Sequence, residues 1–91
     1  MSNMTLTAAP PMTLADLRAA TSNFTENGRP MTASEVAKLV SEEIGRNRAY
    51  DTSTVLKWEV NGIDKESVIT ALAKIYRQPR DVVAAAARHS A

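Results

Sequence analysis

Apolar side chains recur along this chain at three- and four-residue intervals, interrupted by polar, turn-forming segments. Leu14, Leu17, Ala20 or Thr21, and Phe24 lie in one helical stripe. Thr13 followed by Asp16 is a weak capping box opening that segment, and TENGRP, with Asn27-Gly28 and Pro30, is the turn after it. Thr32 with Glu35 is a better capping box, because Val36, Leu39, Val40 and Ile44 follow in helical register and Gly45 supplies a stop. RNRAYD is polar except for Ala49 and Tyr50, so it reads as a loop. Asp51 or Thr52 then caps a short helix over about 52–60, in which Val55 and Trp58 share one face and Asn61-Gly62 ends the segment. A further helix opens near Asp64 and turns Val68, Leu72, Ile75 and Tyr76 inward. Gln78-Pro79 breaks it, and Pro79 suits the first helical position before DVVAAAARHSA.

Five helices with short connections and no convincing strand predict an all-α domain. Residues 1–12, ending beyond the Pro10-Pro11 pair, have no apolar period and read as a flexible N-terminal arm, leaving 13–91 as the domain. The segment Thr54–Gly62 is too short to be stable alone, since helix nucleation costs more than two turns return. Its neighbours must hold it, and its other side is held out towards something.

Composition narrows the possibilities. At 91 residues the chain buries roughly 60% of its unfolded surface, enough for one core but not for a deep catalytic cleft, so an enzyme is not expected. The absence of cysteine excludes disulfides and thiolate metal sites, and the one histidine, His89, is expected to be an exposed terminal residue; no metal or cofactor is implied. Glu42 and Glu43 are adjacent and point apart, so they form no acid–base pair. No membrane span or signal-peptide layout is present, which predicts a cytoplasmic protein. The net charge of +1 conceals an asymmetry: residues 1–43 carry three basic and five acidic side chains, residues 44–91 eight and five. Arg46, Arg48 and Lys57 outnumber Asp51 in the stretch from the polar loop into the short helix.

Three segments in order then carry a resemblance. TASEVA at Thr32–Ala37 is similar to a TxxELA helix opening, TVLKWEVNG to TISRWERG with one extra residue before the glycine, and SVITALAKIYRQPRDVV to LLKLAKALGVSPDEL. Together they resemble the lambda-repressor-like (XRE, Cro-type) helix-turn-helix family over about Leu14 to Val83, with the motif at about 32–62. In the last match Ala73 falls on the small residue and Tyr76 on a leucine. The chain departs from the pattern where Ser41 replaces the usual turn glycine and extra residues precede Tyr50, so the turn is wider.

The resemblance implies a five-helix DNA-binding domain of a bacterial or phage transcriptional regulator, a repressor, Cro-like protein or autorepressor, that acts on double-stranded DNA in the nucleoid or infected-cell cytoplasm. By position, Thr52, Ser53 and Lys57, with Leu56 beside them, would face base edges in the major groove. Thr32, Arg46, Asn47, Arg48, Asn61 and Lys65 would face phosphates, although Thr32 caps its helix in either case and Asn61 also suits a turn. The helix offers no Arg, Gln or Asn for a bidentate base pair, so DNA shape and phosphate contacts must contribute more. Trp58, in register with Val55, belongs to the core rather than to a stacking platform. Tyr50 is expected to plug the core, and Glu59, repelled by phosphate, is expected in a structural pair or a helix contact. A homodimer is expected on affinity grounds, with Val82, Val83 and Ala86 on the alanine-rich last helix as its surface. The competing expectation is a protein-interaction module on the same scaffold that has no DNA binding and uses the apolar last helix. No small-molecule substrate is implied.

Overall fold

A computed structural model describes residues 12–90, with side chains through Arg88. The arm expected over 1–12, apart from Met12, and the side chain of His89 lie outside the described residues. The elements are α1 (Leu14–Ala20), a 3-10 turn (Thr21–Asn23), α2 (Ala33–Ile44), α3 (Thr52–Asn61), α4 (Glu66–Tyr76) and α5 (Arg80–Ser90), with no strand among the described residues. The fold is therefore all-helical, as the apolar spacing predicts. No helix among these residues is long and apolar enough to cross a membrane.

Both capping boxes form. Thr13 Oγ1 accepts from the Asp16 amide at 3.1 Å while Asp16 Oδ2 accepts from the Thr13 amide at 3.0 Å. Thr32 and Glu35 do the same at 3.1 and 2.8 Å. Each box satisfies two amides that a helix start otherwise leaves unpaired. Helix α2 stops at Gly45 (φ 74°, ψ 34°), where the Arg46 amide reaches the Ser41 carbonyl at 2.9 Å. That left-handed backbone favours glycine because it has no Cβ to clash. Helix α4 closes in the same manner on Arg77 (φ 56°), one residue before the expected Gln78-Pro79 break. The Arg77 guanidinium lies 4.3 Å from the centre of the Phe24 ring. Pro79 stands at the N-cap of α5, one place earlier than expected, and its carbonyl accepts from the Val82 and Val83 amides.

The core draws Leu14 and Leu17 from α1, Val36 and Val40 from α2, and Val55 from α3, with Val68, Leu72 and Tyr76 from α4 and Val83, Ala86 and Ala87 from α5. Helix α2 packs against α3 and α4, while α5 lies against α4, α3 and α1. Leu39 and Ile75, expected inward, are both half-buried, Ile75 against the margin of the core. Thr21 is fully buried because its hydroxyl is satisfied twice, donating to the Arg18 carbonyl at 2.6 Å and accepting from the Met31 amide at 2.7 Å. That pair ties the end of α1 to the segment leading into α2.

The alanine-rich helix corrects one expectation. Val83 and Ala86 are 0% and 1% exposed, inside this subunit's own core, and Val82 is half-buried against it. Val83 and Ala86, enclosed within the chain's own core, have no surface to offer a second copy, whereas Val82 keeps part of its own. The small residues of α5 instead let it approach its neighbours closely within one chain.

Candidate nucleic-acid interface

Helix α3 is held from one side. Asp51, in extended conformation (φ −82°, ψ 157°), starts it through its carbonyl, which accepts from the Thr54 amide at 3.0 Å; its carboxylate makes no capping bond. Val55 is buried and Trp58 half-buried, and the Trp58 ring meets Tyr50 edge-to-face with centroids 5.1 Å apart. The helix ends where Gly62 (φ 86°) donates to the Trp58 carbonyl at 2.8 Å.

Glu59 adds a polar clamp on the same side. Its carboxylate accepts two bonds from Arg18 of α1, at 2.6 and 3.0 Å, and Arg18 also donates to the Met31 carbonyl at 3.3 Å. The Glu59 side chain is only 10% exposed, so the one acid within α3 faces inward, in the structural pair expected of it. The hydrogen bond to Glu59 raises the Arg18 pKa further above its ordinary value, against the opposing effect of burial. Burial pushes the nearby Tyr76 hydroxyl well up as well, with the Glu59 charge adding to that and the Arg18 charge opposing it.

The wide turn, Gly45 to Asp51, is organised by side chains. Ser41, standing where the helix-turn-helix pattern has glycine, is buried; its hydroxyl donates to the Ala37 carbonyl and accepts from the Tyr50 amide, both at 2.7 Å. The Arg46 guanidinium lies 4.0 Å from the centre of the Tyr50 ring, and its Nε donates to the Arg48 carbonyl at 2.9 Å. An Arg46–Tyr50–Trp58 stack thus joins the turn to α3.

The expected base-facing residues Thr52, Ser53 and Lys57 are all exposed: Ser53 and Lys57 on the side of α3 opposite Val55 and Trp58, and Thr52, three residues before Val55, at the open first turn of the helix. Arg46, Asn47 and Arg48 are exposed on the turn, Asn61 at the end of α3, and Lys65 at the N-cap of α4. Thr32 is exposed at the start of α2 with its hydroxyl engaged in the capping box. An open cleft of about 500 Å³, lined by Tyr50, Trp58, Ile63, Lys65 and Val68 among others, separates the end of α3 from the start of α4. Ser53, Lys57 and Asn61 instead border a shallow depression of about 300 Å³ with Leu56 and Val60. Among the described residues no cluster of His, Asp or Glu is arranged to hold a metal ion.

Comparison with protein-family models, curated proteins and solved structures gives no match. The chemistry of the surface therefore carries the functional reading. Two hydroxyls, one ammonium and two aliphatic side chains project from α3, with two guanidinium groups on the adjoining turn.

Sequence reasoning missed Val60, and it missed the bracing roles of Ser41 and Arg46. Val60 is 70% exposed one turn beyond Leu56 on the outer side of α3, and its i+4 spacing from that residue was the available signal. Ser41 and Arg46 act across the turn on Tyr50 and Arg48, contacts that no helical periodicity encodes.

Proposed function

We propose that the chain is a helix-turn-helix domain of the lambda-repressor-like type and acts as a sequence-specific, double-stranded-DNA-binding transcriptional regulator. The observation that carries this reading is the two-sided character of α3. Val55, Trp58 and Glu59 hold one side while Ser53 and Lys57 stand exposed on the other and Thr52 is exposed at the helix start, beside a turn bearing Arg46 and Arg48. A helix of this diameter fits the major groove, where hydroxyls pair with several bases and an ammonium donates to acceptors such as guanine O6 or thymine O4. Arg48, Asn47 and Lys65 are the proposed phosphate contacts, with Asn61 at the helix end. Arg46 contributes positive potential while bracing Tyr50.

Affinity from one short helix is modest, so two copies on half-sites about 34 Å apart are part of the proposal. Their mutual surface lies away from Val83 and Ala86. For the competing reading, a protein-interaction module using the apolar side of α5, the part-exposed Val82 remains while Val83 and Ala86 are taken up by the core.

The test is selection of bound duplexes from a random pool, followed by titration at several salt concentrations. Arg48→Ala is expected to reduce the log–log salt slope by about one. An unchanged slope removes Arg48 from the contact set, and recovery of no duplex above background refutes DNA binding.

A further inference from the structure

Among the described residues the large apolar side chains that stand exposed are Met12, Leu56 at 45% and Val60 at 70%. Leu56 and Val60 are one turn apart on the outer side of α3, and they line the shallow depression with Ser53, Lys57 and Asn61. A protein partner needs about 800 Å² per side with an apolar centre. Two aliphatic side chains flanked by a hydroxyl, an ammonium and an amide are far smaller than that. They match the size of one or two methyl groups among polar edges, which is what the major groove presents at thymine. Charge complementarity points the same way: Lys57 is the charged side chain of this depression, and Glu59 is turned inward to Arg18.

We infer that Leu56 and Val60 read the C5-methyl groups of thymines, with Lys57 donating to the O4 of the same thymines, so that the preferred half-site is marked by thymine methyls. This rests on the DNA-binding reading above and names the bases it recognises. Thymine fits better than 5-methylcytosine because a lysine ammonium only donates, and cytosine places an amino donor where thymine has O4. Four residues of helix rise about 6 Å, so the two methyls lie one or two base-pair steps apart.

The probe is the tightest duplex selected from a random pool, with each thymine replaced in turn by deoxyuridine, which lacks only the methyl. For the unmodified protein, replacement at one or two positions per half-site lowers affinity about fourfold, the worth of one buried methyl. For Leu56→Ala one of those positions no longer distinguishes thymine from uracil, and for Val60→Ala the other. Both residues are exposed, so the variants keep the melting temperature of the parent. 5-Methylcytosine at a sensitive position binds less well than thymine; equal binding overturns the assignment to thymine. Selective DNA binding with no thymine-to-uracil loss anywhere overturns methyl reading and leaves DNA recognition standing. So does a loss that persists in both alanine variants, which would place another occupant on this side of α3. Absence of any selected duplex refutes both readings together.

Discussion

Replacing Arg18 by methionine removes the partner of a carboxylate that the fold has withdrawn from water. The Glu59 side chain is 10% exposed and Arg18 24%, and their contact is bidentate at 2.6 and 3.0 Å. An exposed pair is worth about 0–1 kcal/mol, whereas breaking a fully buried one costs about 3–5 kcal/mol because a charge is stranded. This pair lies between those limits, nearer the second for Glu59. Arg18→Met is therefore expected to cost about 2–3 kcal/mol, and Glu59→Gln about 1–2 kcal/mol, since the amide oxygen still accepts and Arg18 retains more water. The double variant Arg18→Met with Glu59→Met strands no charge and should recover most of the loss seen in Arg18→Met alone. In a domain of this size each kcal/mol moves the melting temperature by roughly 4–8 °C, so circular dichroism melts at neutral pH resolve all three variants. A loss below about 0.5 kcal/mol for Arg18→Met would mean that Glu59 remains solvated without its partner. The clamp between α1 and α3 would then contribute nothing to holding the helix in place.

Two further outcomes follow from burial. The ordinary tyrosine pKa is 10.0, and burial raises that of Tyr76 above it. The unfolded chain thus releases this proton at lower pH than the folded one, and the Tyr76 contribution to stability is intact below pH 10 and declines as pH rises beyond it, by at most about 1.4 kcal/mol per unit. Urea midpoints measured from pH 8 to 11 should fall less for Tyr76→Phe than for the parent; parallel curves would contradict the assignment. Val83→Ala removes two methyl groups at a fully buried site and should cost about 2 kcal/mol. The loss should be the same at every protein concentration, because the contact is within one chain. A loss that grows on dilution would return Val83 to an interface between copies.

What the sequence discloses here is chiefly what is local. Thr13 with Asp16, and Thr32 with Glu35, satisfy each other three residues apart, so their capping boxes are readable without knowledge of the fold. Gly45 as a stop and the inward face shared by Val55 and Trp58 are equally short-range. Arg18 and Glu59 are separated by 41 residues, and Ser41 and Tyr50 meet across a turn whose path no propensity specifies. Helix α5 shows the limit most plainly. Its periodicity identifies an apolar side but not what covers it, and Val83 and Ala86 are covered by their own chain. The candidate surface was legible at Ser53 and Lys57, whose exposure follows from standing opposite Val55 and Trp58, and at Thr52, which opens the helix. Arg46 was legible as a charge but not as a brace for Tyr50.

The turn between α2 and α3 is fastened near both ends, at Ser41 with Tyr50 and at Gly45 with the carbonyls of α2. Its middle residues, Asn47 to Ala49, are all exposed. A segment secured at its bases tolerates replacement at its crown, since the pose of α3 is fixed by the fastenings rather than by the crown's length. The same scaffold can accordingly accept foreign tips of altered charge or size there without disturbing the helix that follows.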